Sequence, residues 1–156
     1  LPDLPLAQRR AAAEAFVKRP AWGLPADAQS ALIEETLAVL AAPDFAALFG
    51  PGSRAEVPIS GLVLNHAIAG QVDRLAVTET EVLIIDYKTN RPPPRQSVDV
   101  DPAYVFQMAV YRAALRQIYP GRTVRCLLLW TDGPFTLEIA PAQLDEALSS
   151  LVVAAS

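Results

Sequence analysis

Three charged side chains in the stretch from Gly70 to Thr89, GQVDRLAVTETEVLIIDYKT, are spaced as chemistry would need them. Asp73 lies in one strand-like segment. Asp86 and Lys88 end a second, whose Val82, Leu83, Ile84 and Ile85 form the apolar run of a strand covered on both faces. Side chains alternate along a strand, so Asp86 and Lys88 project from one face and Tyr87 from the other. In the preceding segment the same rule puts Gln71, Asp73 and Leu75 on one face, and Val72, Arg74 and Ala76 on the other. A hairpin would bring Asp73 beside Asp86, giving the pattern D, twelve residues, D-x-K. Hard cations such as Mg2+ take oxygen ligands and keep several waters, so convergent carboxylates together with a substrate phosphate suit them. A neighbouring lysine can orient an attacking water and stabilise transition-state charge. The pattern points to metal-assisted phosphodiester hydrolysis, although a D-x-K taken alone is more often a solvated pair at a strand end.

Other residues bear on the same chemistry. Glu56 lies near the start of a strand expected over Arg54–Val63, where by itself it is an ordinary exposed carboxylate. If that strand pairs beside the next, Glu56, Asp73 and Asp86 can form one acidic cluster at one edge of the sheet. Gln107 and Tyr111 stand four apart on a helix expected over Asp101–Tyr119, with Asp101 at its cap and Pro102 at its first position. Tyr104, Met108, Tyr111 and Leu115 also form a stripe at helical spacing, so a packing role for Tyr111 is as well supported as a functional one.

Taken in order, RAEVPI, GQVDR, IIDYKT and QMAVY resemble the RecB-type nucleases of the PD-(D/E)XK superfamily. More narrowly, FGPGSRAEVPI, GQVDRL and DYKTNRPP resemble the C-terminal nuclease domain of AddA-type helicase-nucleases of bacterial double-strand-break repair. The resemblance covers most of the chain. It implies Glu56, Asp73 and Asp86 as ligands of Mg2+ or Mn2+, with the backbone carbonyl of Tyr87 as a further ligand. Asp73, Asp86 and Lys88 would then be catalytic, and Gln107 and Tyr111 would position the substrate strand. It also implies single-stranded DNA as substrate, a helicase region on the same polypeptide and an AddB-like partner subunit. The alternative is a nuclease-like fold kept only to bind DNA or a partner, which usually shows as loss of the acidic and lysine positions; here all are present. The family carries a further histidine ligand on an N-terminal helix. No histidine precedes His66, so that ligand is expected upstream of Leu1, and His66 in NHAIAG reads as a solvated turn residue.

At 156 residues the chain fits one domain over 1–156, with a helical part at 1–50 and an α/β core at 53–156. Hydrophobic residues at 52% and charged residues at 19% describe a globular chain that needs no staples. The apolar runs are too short to span a bilayer and no leader pattern is present, so a cytoplasmic location is expected, with no membrane contact. The chain begins with Leu1 and reads as a piece of a longer polypeptide. The single Cys126, in the apolar run CLLLW, reads as a buried strand residue and excludes a four-cysteine iron-sulfur cluster. There is no Walker A sequence or dinucleotide-type glycine pattern, so no ATP site is expected. A net charge of -4 is awkward for a nucleic-acid enzyme, because DNA affinity comes largely from phosphate neutralisation. Metal ions would offset the carboxylates, and Lys88, Arg91, Arg95, Arg112 and Arg116 cluster around the motif.

The elements that must hold these residues follow from pattern. Ala7–Arg19 is rich in helix formers and stops at Pro20; Asp27 is a plausible cap for a second helix carrying Leu32, Ile33, Thr36, Leu37 and Leu40. Pro43–Phe49 could add a short helical turn. After Thr89, NRPPPRQSVDVDP reads as a stiff surface connection from which Arg91 and Arg95 could touch a DNA backbone. Thr123–Thr131 and Pro134–Ile139 read as strands joined by an Asp132-Gly133 turn, and Pro141–Val153 as a last helix. The expected architecture is α/β: a mixed central β-sheet flanked by helices, with a PD-(D/E)XK restriction-endonuclease-like core.

Overall fold

The computed structural model describes residues 1–43, 48–50, 52–89, 92–130 and 135–154, with side chains described through residue 149. Helix α1 covers Leu6–Val17 and α2 covers Ala26–Ala41. Asp27 is not the cap expected of it: Pro25 precedes the helix, and Asp27 sits in its first turn, where a negative charge favours the helix N-terminus. Ala13, Val17 and Ile33 pack the two helices together. An exposed Arg10–Glu34 pair spans them at 2.7 Å, and at full exposure contributes little.

Five strands follow: β1 Ser53–Val63, β2 His66–Val77, β3 Glu81–Lys88, β4 Thr123–Trp130 and β5 Phe135–Glu138. They lie in that order in one mixed sheet, antiparallel throughout except for the parallel β3–β4 pair. A parallel pair needs a crossover, and α3 (Pro102–Ile118) supplies it. Its cap is as the sequence predicts, with the Asp101 carboxylate accepting the Ala103 N–H at 2.8 Å and Pro102 in the first turn. Helix α4, Pro141–Ala154, packs beside α3 and is tied to it by Arg112–Asp145 at 2.6 Å. The expected Asp132-Gly133 turn, Arg91 and most of the Pro43–Phe49 segment lie outside the described residues.

The sheet is covered on both faces, which explains why β3 reads as unbroken apolar sequence. Val82 and Ile84 join Cys126, Leu128, Met108 and Leu115 in the core under α3. Leu83 and Ile85 face the opposite way with Leu129, Val39 and Leu48. Cys126 is fully buried in β4, as the sequence reading of a buried strand residue expects, and burial pushes its thiol up to about 12. Leu64 and Asn65 both adopt positive φ at the β1–β2 hairpin, the geometry of a two-residue type I′ turn, and exposed His66 opens β2 immediately after it.

Strict alternation fails in β2. Val72 and Leu75 belong to the same core cluster although they are three apart, while Ala76 belongs to the opposite one. The expectation that Val72 shares a face with Arg74 and Ala76 is therefore corrected. Its cause lies across the hairpin: Ala55 pairs with Arg74 and Val57 with Val72, but between them Glu56 has φ 53° and breaks the ladder opposite Asp73. One left-handed residue shifts the pleat by one position.

Gly70, the first residue of GQVD, lies under the ring of Tyr111 from α3. A Cβ there would stand 2.8 Å from Tyr111 Cε1. Gly70→Ala should destabilise the protein by about 1–3 kcal/mol, the usual cost of overpacking against a rigid group. Urea unfolding checks this; an unchanged midpoint would mean that the ring does not rest on the strand.

Candidate active site

The β2–β3 ladder runs from Val77↔Val82 to Arg74↔Ile85 and stops there. The next pair in register would be Asp73 and Asp86. Instead the Asp73 carboxylate accepts the backbone N–H of Tyr87 at 2.8 Å, so a side chain takes over where the main-chain pairing ends. Asp86 is buried, at 7% exposure, on the face that carries Val82 and Ile84. Lys88 follows on that face, with Nζ 2.5 Å from Asp86 Oδ2. The approach is close but not aligned as a hydrogen bond, so this buried oxygen has a charged neighbour and no directed donor. Desolvation raises the Asp86 carboxyl above its ordinary value, Lys88 opposes that shift, and the nearby Asp73 charge adds to it.

Helix α3 covers this group with one row of side chains. Tyr104, Gln107 and Tyr111 recur at helical spacing; Lys88 Nζ lies 3.6 Å from the centre of the Tyr104 ring, and Gln107 Nε2 donates to the Tyr111 hydroxyl at 3.3 Å. Tyr111 is buried and Gln107 half-buried, so the Q-x-x-x-Y pair is at once a packing element and a polar edge beside β2. Tyr104 appeared in the sequence only as a stripe residue; its spacing of three from Gln107 was the available signal.

The other face of the same strands holds a different set. Buried Arg74 donates from Nε to the Tyr87 hydroxyl at 3.2 Å and from Nη1 to Ser53 Oγ, with its guanidinium 4.7 Å from the centre of the Phe49 ring. Burial pushes the Tyr87 phenol up, against the pull of Arg74. Arg74, Tyr87, Phe49 and Glu56 line a cavity of about 870 Å³ between the sheet and α1–α2, walled also by Phe16, Val39 and Leu40. The sequence did not single out Arg74, because a buried cation has no marker until its partners are known.

The structure thus brings Asp73, Asp86 and Lys88 together and sets Gln107 and Tyr111 on the helix above. It does not assemble the expected three-carboxylate cluster: among the described residues no three Asp, Glu, His or Cys side chains stand as a metal-binding group. Glu56 is directly opposite Asp73 in register, but its left-handed backbone sets it in the cavity wall with Arg74 and Tyr87. Arg95 is exposed on the connection after β3, and Arg116 is exposed on α3; Arg112 is engaged by Asp145. The Asp73 and Asp86 carboxylates are hard oxygen donors, and Asp86 Oδ2, whose neighbour is the Lys88 ammonium, lies near a second negative charge that a divalent cation would offset. The residues present therefore fit such an ion.

The profile of the PD-(D/E)XK nuclease superfamily matches residues 3–149. The chain belongs to that superfamily. Its mixed five-stranded sheet with flanking helices is the PD-(D/E)XK nuclease fold, and nucleases of this superfamily generally use divalent metal ions. No individually curated protein matches the chain. Among solved structures, a presumed exonuclease from Eubacterium rectale superposes with a TM-score of 0.58 at 15% identity, over 92% of this chain. The chain spans 60% of that protein's length. The protein SSO0001 superposes at 0.40 with 14% identity, over 82% of this chain and 69% of its own. Among the described residues no helix is long and apolar enough to cross a membrane.

The positive φ at Glu56 is a strained position for a residue with a Cβ. Glu56→Gly should stabilise the protein by about 0.5–1 kcal/mol, the left-handed penalty less the entropy cost of glycine. Glu56→Ala should show no such gain. Parallel urea titrations measure the difference, and equal stability of the two variants would show that residue 56 carries no backbone strain.

Proposed function

We propose that this chain is the metal-dependent DNA nuclease domain of an AddA-like, ATP-dependent helicase-nuclease, hydrolysing phosphodiester bonds of single-stranded DNA during double-strand-break repair and recombination. The observation that carries the reading is the group of Asp86 and Lys88 on one sheet face with Asp73 bonded to the intervening Tyr87 N–H, and a buried Asp86 oxygen that has no directed donor. In this reading Asp73 and Asp86 would hold Mg2+ or Mn2+, joined by the Tyr87 carbonyl as the family resemblance implies; Glu56, which the resemblance also implies, would have to turn out of the cavity wall to join them. The ion supplies Lewis-acid polarisation of the phosphate and a water of lowered pKa.

The protein's own groups do the rest. Asp73, fixed by the Tyr87 N–H, stays an oxygen donor in one orientation. Lys88 is a fixed cation at the same face, placed to hold an attacking water by hydrogen bonding and to stabilise negative charge as the phosphate oxygens develop it. Gln107 and Tyr111 present an amide and a phenol along the helix row where a strand would lie. Arg91 and Arg95, on the connection leaving β3, are proposed to meet phosphates. The helicase region of the same polypeptide and an AddB-like subunit would deliver the strand, which suits a domain whose own net charge is -4.

A second reading is a nuclease-like fold that binds DNA or a partner subunit without cutting. The absence of a three-ligand group among the described residues favours it. Metal titration separates the two: the nuclease reading expects Mn2+ heat in calorimetry that disappears in Asp86→Asn. Lys88→Ala should keep metal binding yet lose about 10²–10³-fold in Mg2+-dependent cleavage of labelled single-stranded DNA, the usual cost of removing one preorganised charge stabiliser. Cleavage by Lys88→Ala at the wild-type rate would remove the proposed role. For the loop, replacing Arg91 and Arg95 together by Ala should flatten the slope of log affinity against log salt by about 1.4, two single-strand phosphate contacts. An unchanged slope would place both arginines off the DNA.

A further inference from the structure

We infer that Tyr104 is a positioning residue for Lys88: its ring face holds the ammonium in the one orientation in which it flanks Asp86. This deepens the nuclease reading and rests on it. Lysine is a flexible, rotamer-rich side chain, and a catalytic cation on such a stem must be held to be useful. Asp86 attracts the ammonium, with Oδ2 2.5 Å from Nζ, but that contact is not aligned as a hydrogen bond and leaves the orientation of the group open. The Tyr104 ring adds a second contact, with Nζ 3.6 Å from its centroid and the Lys88 side chain only 11% exposed. A ring face attracts a cation without taking up any of its N–H donors in conventional hydrogen bonds, so the ammonium keeps donors for a water or a phosphate oxygen.

The chain around Tyr104 is built to fix the ring. Asp101 caps α3 and Pro102 opens it, which sets Tyr104 in the first turn, with its own N–H donating to the Asp101 carbonyl at 2.9 Å. Pro92, Pro93 and Pro94 come back from the end of β3 to line a cavity of about 320 Å³ shared with Tyr104 and Trp130. Trp130 is the register partner of Lys88 in the parallel pair. The proline run is therefore more than a surface spacer: it walls the space beside the ring.

The sequence makes the contact measurable without activity, because Lys18 and Lys88 are its two lysines. Lys18 is an exposed helix-end residue and serves as the reference. In protein labelled with 13C,15N-lysine, the Lys88 Hε–Cε signal should be displaced upfield of the Lys18 signal by the ring current. It should move back toward Lys18 in Tyr104→Leu and remain displaced in Tyr104→Phe, which keeps the ring. In Mg2+-dependent cleavage, Tyr104→Leu should lose about tenfold in kcat, the order of a desolvated cation–π contact, with KM nearly unchanged. Tyr104→Phe should recover most of that loss, which separates ring contact from general damage to α3. An undisplaced Lys88 signal in a protein that cuts DNA would overturn the role of Tyr104 alone. So would a Tyr104→Leu variant that loses the displacement but cuts at the wild-type kcat. A displaced signal in a protein that cuts nothing would overturn the nuclease reading, and the role of Tyr104 with it.

Discussion

The hydrogen bond from the Tyr87 N–H to the Asp73 carboxylate is the constraint on which the site depends. Without it, the Asp73 carboxylate at the end of the ladder would be free to turn to water. With it, Asp73 is anchored to the strand that carries Asp86, and their mutual repulsion becomes part of the fold. Burial of Asp86 under α3 strengthens that repulsion, since both charges act through a medium poorer in water. The arrangement is costly to the folded chain alone, and a bound cation would relieve that cost. Active sites commonly carry such local cost, and the continuous apolar layers on both faces of β3 supply the stability to bear it.

A second cost lies opposite, at Glu56. Its left-handed backbone interrupts the β1–β2 ladder at the position facing Asp73, and it shifts the pleat so that Val72 reaches the core under α3. The same irregularity divides the strand ends between two environments. Toward α3 stand Asp86 and Lys88 with the row Tyr104, Gln107 and Tyr111. Toward α1 and α2 stand buried Arg74 and half-buried Tyr87, bonded to one another, with Glu56 in the same cavity wall. The first group holds the residues proposed for catalysis, and the second is its structural counterweight: Arg74 and Tyr87 brace the reverse side of the strand that presents Asp86 and Lys88.

Most of the architecture was legible in the residues because it rests on local rules. Proline and glycine set the helix ends near Pro20 and Pro102, the apolar run of β3 announced a strand buried on both faces, and period two placed Asp86 with Lys88 and against Tyr87. Where local rules competed, the sequence misled: Asp27 fell in the first turn of its helix and not at the cap, because Pro25 already fixed the start of α2. The motif spacing likewise brought Asp73 to Asp86, since a hairpin with a short turn admits one register that buries Leu75 with Ile84.

What the sequence by itself determined, then, is the set of chemical groups and the strands that carry them: two carboxylates and a lysine at the end of a hairpin in a mixed α/β sheet. Only the tertiary structure decided which of the candidates meet. A strand pattern assumes unbroken alternation, so it could not register the left-handed turn at Glu56 that sets this carboxylate apart from Asp86. Nor could it show the buried Arg74 or the ring of Tyr104 over Lys88, because each depends on a partner 13 or more residues away. Such contacts arise from packing α3 and the sheet against each other, and distance along a chain carries no trace of them.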